Sequence, residues 1–268
     1  MKIKSPYLVK PNAKVRLSRF STDETGGFKS QEEAEPVLAR HREKLIDLQE
    51  VFYASQQKAL LIVLQGMDTA GKDGVISHIF SGFNPQGCGV SQFKEPTPIE
   101  SRHDFLWRVH AQVPPRGIIQ IFNRSHYEDV LVPYVHNLIS RKKVRQRLED
   151  ILEFESMLAD NDVLILKFFL HISHEEQTRR LQARIDDPNK HWKLSESDFR
   201  ERQFWNEYTE AYEELLPYTS RKHAPWFIIP SDHKGYRNVA ISQILVDVMK
   251  SLKLKYPKPT IDPSKIQL

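Results

Sequence analysis

Hydrophobic residues are concentrated in four short runs along this 268-residue chain. The runs cover residues 59–64, 118–122, 163–170 and 225–230, and a shorter β-prone segment covers residues 89–93. Continuous apolar runs of this length, bounded by turn residues, are typical of parallel strands that are buried on both faces. The pattern therefore predicts a parallel sheet at the centre of the molecule.

Between these runs, apolar residues recur at the spacing of amphipathic helices. Helices are predicted over residues 31–54, 75–80, 98–110, 140–159, 174–185, 196–216 and 238–254. Ser173 followed by Glu176 resembles a capping box, which marks a helix start. Strands that alternate with helices predict the α/β class, with a doubly wound parallel sheet and helices on both faces.

A glycine-rich segment, Gly66-Met67-Asp68-Thr69-Ala70-Gly71-Lys72-Asp73-Gly74, follows the first predicted strand. A strand, a glycine loop with a lysine, and then a helix form a phosphate cradle, because loop amides point at an anion and Lys72 adds a positive charge. Asp73 stands where most such loops place a Ser or Thr for magnesium, and Asp68 is the natural substitute as an oxygen ligand. The alternative is an ordinary strand-to-helix turn that uses glycine for tight packing.

A second polar cluster, Asn123-Arg124-Ser125-His126-Tyr127-Glu128-Asp129, follows the second long run. Ligands bind at the carboxyl ends of strands in open α/β sheets, so this cluster is expected beside the glycine loop. Arg124 could bind a phosphate bidentately, and Asn123 is a neutral metal ligand or a residue that holds water. The alternative is a helix N-cap at Asn123 or Ser125 followed by exposed charges.

Arg180 and Arg184 share one face of a predicted helix, since they are four residues apart. With the polar turn 186–194 and the helix after it, they resemble a mobile lid over phosphates. The alternative is a solvated pair of charged helices.

Composition and charge limit the class of protein. The formal net charge is +4 and the sequence pI is about 9.0, without a basic tail, so the positive charge is distributed over folded elements. The single cysteine excludes an intrachain disulfide and a cysteine-based zinc site. We find no apolar run of membrane-spanning length and no signal core, so we expect a cytoplasmic protein that contacts neither membrane nor nucleic acid.

The glycine loop and the segment Phe122–Val130 together resemble the family-2 polyphosphate kinases. The segments 101–108 and 187–193 resemble that family as well, as do Ala224-Pro225-Trp226 and Tyr236-Arg237. The resemblance covers roughly residues 40–257 in order, which makes it far more specific than the glycine loop alone. Asn123, where many members have Asp, resembles the class III subgroup, which accepts nucleoside monophosphates and diphosphates.

The resemblance implies a P-loop kinase fold of the thymidylate-kinase type with a helical lid. It implies reversible, magnesium-dependent transfer of a terminal phosphoryl group between inorganic polyphosphate and adenine or guanine nucleotides, such as AMP or ADP; Mn²⁺ could replace Mg²⁺. The expected division is an N-terminal arm and helix over 1–55, a kinase domain over 56–257 with the lid at 174–216, and a tail over 258–268. We also expect a homo-oligomer, either a dimer or a tetramer.

Candidate site residues follow from the motifs and from this resemblance. The expected catalytic residues are Asp68, Lys72, Arg124, Arg180 and Arg184, with the choice between the two lid arginines left open, and the metal ligands are Asp68 and Asn123. The expected substrate-binding residues are Gly66, Thr69, Ala70, Gly71, Asp73, Gly74, Lys94, Arg108, Glu128, Lys190 and Lys193. In addition, Lys94, Arg102, Arg108 and Arg116 could line a channel for a long anion.

Two other functions remain open from the sequence. The first is an ATP-dependent nucleoside or nucleotide kinase of the same fold. The second is a non-catalytic, basic P-loop protein that serves as a scaffold or binds nucleic acid.

Overall fold

A computed structural model describes residues 3–262, 264 and 266 of the chain. The five strands are β1 Ala59–Gly66, β2 Cys88–Gln92, β3 Ile119–Asn123, β4 Val163–His171 and β5 Trp226–Pro230. They form one parallel sheet in the order β2-β3-β1-β4-β5. The predicted parallel sheet is confirmed, and the short segment near residue 90 supplies its edge strand.

Nine α-helices surround the sheet in the described part of the chain. They are α1 Gln31–Ser55, α2 Lys72–Ile79, α3 Trp107–His110, α4 Glu128–Val135, α5 Arg141–Asp160, α6 His174–Ile185, α7 Glu196–Glu201, α8 Trp205–Thr219 and α9 Lys234–Ser251. Four short 3₁₀ segments lie at Leu17–Arg19, Glu100–Arg102, Pro188–Lys193 and Arg202–Phe204. None of these described helices combines the length and the apolar character that crossing a membrane requires.

Alternate residues of the central strand face two separate hydrophobic cores. Leu61 and Val63 of β1 pack with α4, α5 and α8 on one face of the sheet. Leu60 and Ile62 pack with α1, α2 and α9 on the other face. Because side chains alternate along a strand, one apolar run supplies both layers, as the doubly wound prediction requires.

The N-terminal arm packs against the far edge of the sheet. Val9 N–H donates to Trp226 O at 2.9 Å, and Ile228 N–H donates to Tyr7 O at 2.9 Å. Leu8 and Phe227 form an antiparallel bridge, so the arm covers the outer edge of β5. Part of the predicted tail, at residues 263, 265, 267 and 268, lies outside the described residues, as do residues 1 and 2.

Several predicted helix boundaries were wrong. The helix after the glycine loop begins at Lys72 rather than at Val75. The predicted helix 98–110 is a 3₁₀ turn followed by the four-residue α3, and the predicted helix 196–216 is divided into α7, a 3₁₀ turn and α8. Helix α4 was missed, because its polar start was interpreted as a ligand-binding cluster, or alternatively as a helix cap with exposed charges, and no helix was assigned to the residues after it.

Candidate active site

The glycine loop and the polar cluster after β3 lie side by side. Strands β1 and β3 are parallel neighbours, and Leu64 is in register with Asn123. Arg124 N–H donates to Leu64 O at 3.1 Å, which ties the two strand ends together. The expectation that these two segments meet at one edge of the sheet is therefore confirmed.

Two glycines of the loop occupy positions that a side chain would disrupt. A Cβ at Gly66, where φ is +153°, would lie 2.7 Å from Leu170 O, and a Cβ at Gly71, where φ is +102°, would lie 2.0 Å from Arg237 Nη1. The first amide of α2 that bonds within the helix is that of Val75, which donates to Gly71 O. The amides of Lys72, Asp73 and Gly74 precede this bond, so they have no helical acceptor and are free to bind an anion.

Lys72 is buried within the loop that it is predicted to serve. Its ammonium donates to Gly66 O at 2.9 Å and to Met67 O at 3.4 Å. Burial and the nearby Arg124 lower its pKa, although Asp68 acts in the opposite direction. The ammonium therefore lies at the loop with no carboxylate of the described residues in an ion pair with it, and a phosphate oxygen can replace the carbonyl acceptors.

Arg124 connects the two halves of the site. Its Nη2 donates to Asp68 Oδ1 at 2.6 Å, and its Nη1 donates to Glu128 Oε2 at 3.3 Å. The carboxylates of Glu128 and Asp68 raise its pKa against the effect of burial. Its backbone is left-handed, with φ of +62°, a strained conformation that is characteristic of functional positions. The side chain is about one third exposed, so it can still contact a ligand.

The oxygen ligands expected for a metal lie beside this pair. Asn123 Nδ2 donates to Asp73 Oδ1 at 2.7 Å, which leaves the amide oxygen of Asn123 available as a metal ligand. Arg124 contacts Oδ1 of Asp68, which leaves Oδ2 of Asp68 available as a second ligand. Within residues 3–262, 264 and 266, no group of three acidic, histidine or cysteine side chains could hold a metal alone. One or two protein oxygens completed by substrate phosphates and water are the usual arrangement for Mg²⁺, and these residues fit it.

Arg180 does not point at the phosphate-binding face of the loop. Its five N–H groups donate to Glu176 Oε1 and to the carbonyl oxygens of Thr69, Ala70, Ser231 and Asp232. The side chain is 8% exposed. The expectation that Arg180 closes from a lid onto the transferring group therefore disagrees with its placement, because four of its N–H groups donate to backbone carbonyl oxygens and the fifth donates to Glu176. Arg180 positions the loop through its hydrogen bonds to the carbonyl oxygens of Thr69 and Ala70.

Arg184 remains available above the loop. Its Nη1 donates to Asp198 Oδ2 at 3.0 Å and to Lys193 O at 3.3 Å, and the side chain is 23% exposed. Burial and the negative charge of Asp68 raise the pKa of Asp198, whereas Arg184 lowers it. Helix α7 therefore brings a carboxylate toward the loop that sequence reasoning missed. The segment Ser195–Arg200 had the pattern of a capped surface helix and gave no sign of this.

Other candidate substrate-binding residues are dispersed. Lys190 pairs with Asp187 at 2.7 Å, and Lys193 lies over the ring of the exposed Trp192. Both lie on the 3₁₀ segment that joins α6 to α7. Lys94 is exposed at the end of β2.

Two residues proposed for an anion channel are engaged elsewhere. Arg108 is buried, and it donates to Asp129 Oδ2 at 2.9 Å and to Lys94 O at 2.7 Å. Arg116 pairs with Asp162 at 2.8 Å at the amino end of the sheet, opposite the glycine loop. The channel hypothesis is wrong for Arg116, and for Arg108 the ion pair with Asp129 supports a structural role.

A family sequence model, two related proteins and one crystal structure all relate this chain to the same family. The sequence model of the polyphosphate kinase 2 family matches residues 28–257. The AMP/ADP-polyphosphate phosphotransferase of Meiothermus ruber is 48% identical over 97% of this chain and 98% of its own length. The ADP-polyphosphate phosphotransferase of Rhodopseudomonas palustris is 42% identical over 97% of this chain and 94% of its own length. The crystal structure of polyphosphate kinase 2 from Arthrobacter aurescens matches with a TM-score of 0.90 at 38% identity, covering 96% of this chain and 95% of that one.

Proposed function

We propose, because this chain belongs to the polyphosphate kinase 2 family, that it transfers a terminal phosphoryl group between inorganic polyphosphate and a nucleoside mono- or diphosphate. The observation that carries the proposal is the contact of Asp68 with Arg124, at 2.6 Å, beside the buried Lys72. These residues place two cations and a carboxylate where two phosphate chains can meet.

The reaction exchanges one phosphate–oxygen bond for another. An oxygen of the nucleotide's terminal phosphate attacks the terminal phosphorus of polyphosphate. The bond from that phosphorus to the bridging oxygen breaks, and the shortened polyphosphate leaves with the electron pair. Both partners are polyanions, so the protein contributes positioning and charge neutralisation. The attacking phosphate is already an anion, and no strong general base is required.

Each candidate residue has a distinct role in this proposal. Lys72 and the free amides at the start of α2 bind one phosphate, and Arg124 binds the other. Asp68 and Asn123 would hold Mg²⁺, or Mn²⁺ in its place, which would neutralise negative charge on the phosphate groups. Arg184, from the predicted lid, approaches the transferring group when α6 and α7 close over the loop.

Substrate range, assembly and location are proposed with the same activity. The names of the relatives support AMP and ADP as acceptors, and another relative, from Ruegeria pomeroyi, is named as an NDP-polyphosphate phosphotransferase. We propose adenine and guanine nucleotides as acceptors, a homo-oligomeric assembly and a cytoplasmic location. Size-exclusion chromatography with light scattering tests the assembly.

A donor comparison tests the proposed function. The purified protein is incubated with AMP or ADP, Mg²⁺ and long-chain polyphosphate, and ATP formation is followed with and without EDTA. The proposal predicts metal-dependent ATP formation from polyphosphate. Phosphorylation with ATP as the donor and none with polyphosphate would indicate an ordinary nucleotide kinase. Absence of turnover with either donor would indicate a non-catalytic binding protein.

A further inference from the structure

A buried arginine lies directly behind the glycine loop and has no role in the scheme above. Arg237 is in the first turns of α9, and 2% of its surface is exposed. Its Nη1 donates to Ala70 O at 3.1 Å, and its Nε and Nη2 donate to Asn238 Oδ1 at 3.1 and 2.9 Å. The guanidinium is therefore in contact with the loop backbone.

This guanidinium lies against two of the three glycines of the loop. A Cβ at Gly71 would lie 2.0 Å from Arg237 Nη1, and a Cβ at Gly74 would lie 3.0 Å from Arg237 Nη2. Gly74 lies in a helix and does not have a positive φ, so backbone conformation does not require glycine there. Glycine at this position leaves space for the guanidinium of Arg237.

The hydrogen bond from Arg237 to the loop is duplicated by another residue. Ala70 O also accepts a hydrogen bond from Arg180 Nη1, at 3.0 Å. Removal of Arg237 would therefore leave this carbonyl oxygen bonded. The hydrogen bond to Ala70 O therefore does not by itself explain why a second arginine is buried at this position.

Charge is what Arg237 adds. Arg180 is paired with Glu176 at 2.6 Å, whereas no carboxylate forms an ion pair with Arg237 among the residues that the structure describes. Burial and the neighbouring Arg180 lower the pKa of Arg237 to about 9. Burying a cation without a carboxylate is costly in free energy, and such a cost is commonly retained at functional sites.

We propose that Arg237 is a positioning residue that acts through the backbone of the glycine loop and supplies positive charge to the phosphate bound on the other side of that loop. The inference rests on the proposed phosphoryl transfer only in taking the loop as the phosphate site. In a site that excludes water, a cation near an anion stabilises it much more than it would in solution. The protein without ligand bears the free-energy cost of burying the charge of Arg237. In the complex, the negative charge of the bound phosphate would compensate this cost.

Three variants test this inference. Arg237→Met removes the charge at similar length, Arg237→Lys retains it, and Arg221→Met is the control. Arg221 is partly buried and donates to the backbone carbonyls of Tyr218 and Ser220. It lies before the amino end of β5, whereas Arg237 lies after the carboxyl end of that strand. The readouts are the melting temperature, its increase on addition of inorganic tripolyphosphate with Mg²⁺, and kcat and KM with polyphosphate.

Arg237→Met is expected to melt close to the wild-type temperature or above it. It should lose most of the stabilisation by tripolyphosphate and at least about tenfold in kcat/KM. Arg237→Lys should recover part of both, and Arg221→Met should match the wild type in both. Wild-type stabilisation by tripolyphosphate in Arg237→Met would overturn the inference. An equal loss in the Lys and Met variants that follows a fall in melting temperature would also overturn it.

Gly74→Ala keeps the inference testable if Arg237→Met does not fold. The added methyl group displaces the guanidinium, while alanine has a higher helix propensity than glycine. We expect Gly74→Ala to weaken stabilisation by tripolyphosphate in the wild-type background and to have little effect beside Arg237→Lys or Arg237→Met, whichever folds. Equal effects in both backgrounds would contradict the inference. Binding of tripolyphosphate is measured without turnover, so failure of the donor comparison leaves this result interpretable.

Discussion

At the scale of the single residue, the proposed phosphate and metal site depends most on Lys72 and Asp68. Lys72 contacts only loop carbonyls in the structure, and Asp68 contacts Arg124 from the neighbouring strand end. Both were identified from the sequence, because a lysine after a glycine loop and a carboxylate within it have few other uses at that position. Their partners were not predictable in the same way, because they depend on how β3 is paired with β1.

Lys72→Met is predicted to reduce kcat/KM by about a hundredfold or more, because Lys72 is the one lysine among the described residues whose ammonium donates to the carbonyls of Gly66 and Met67. Lys58→Met is the matched control, since Lys58 pairs with Asp162 at the amino ends of β1 and β4, whereas the glycine loop follows the carboxyl end of β1. Steady-state kinetics with polyphosphate and ADP, together with circular dichroism, measures both. Near-normal activity of the Lys72 variant would contradict the site assignment.

Arg180 and Arg184 of α6 are predicted to have different roles. Arg180→Met should lower the free energy of unfolding by roughly 3–5 kcal/mol, because it leaves the carbonyl oxygens of Thr69, Ser231 and Asp232 without this donor and removes one of the two cations paired with buried Glu176. Arg184→Met should leave stability nearly unchanged and lower kcat, since Arg184 is bonded only to Asp198 and Lys193 O. Chemical denaturation and kinetics on both variants measure the difference. A stable Arg180 variant with reduced kcat would reverse the assignment.

At the scale of the element, a buried ion pair supports the segment that presents Arg124. Lys167 of β4 donates to Glu155 Oε2 of α5, at 2.5 Å, and to Tyr127 Oη and Thr219 O, both at 2.9 Å. Tyr127 and His126 also hydrogen-bond with Glu155 Oε1. Burial lowers the pKa of Lys167 to about 8, although Glu155 counteracts this effect. The network fixes His126 and Tyr127, which follow Arg124 closely in the chain.

Lys167→Met is predicted to lower the free energy of unfolding by about 3–5 kcal/mol, because it leaves Glu155 charged in the core. Combining it with Glu155→Leu should cost less than the sum of the two single substitutions, since no unpaired charge then remains. A double-mutant cycle by urea denaturation measures the coupling. Additive effects would show that the pair does not act as one unit.

Elements with strong periodicity were predicted better than those governed by tertiary contacts. The runs at β1 and β4 were correct to within two residues, because buried parallel strands are apolar on both faces. Helix α7 was merged with α8, since the turn between them is fixed by Arg202, which bonds to His174 O and Thr178 Oγ1 of α6. No local pattern in the sequence encodes that contact.

At the scale of the whole molecule, the sheet order brings the chemistry together. β1 lies between β3 and β4, so the loop after β1 has Arg124 on one side and α6 on the other. The sequence predicted this class of fold from the alternation of strands and helices. It could not reveal that Arg237, which lies 166 residues from Gly71 in the chain, packs against the same loop. Such long-range contacts are encoded only by the complete packing.

Transfer of a labelled phosphoryl group tests the central claim most directly. Polyphosphate labelled with ³²P is incubated with unlabelled ADP and Mg²⁺, and the nucleotides are separated after a single turnover. The account predicts that label appears in the terminal phosphate of ATP with the wild-type protein, and that Asp68→Asn transfers it more slowly by about a hundredfold or more. Label that remains in polyphosphate or is released as inorganic phosphate with the wild-type protein would contradict the account.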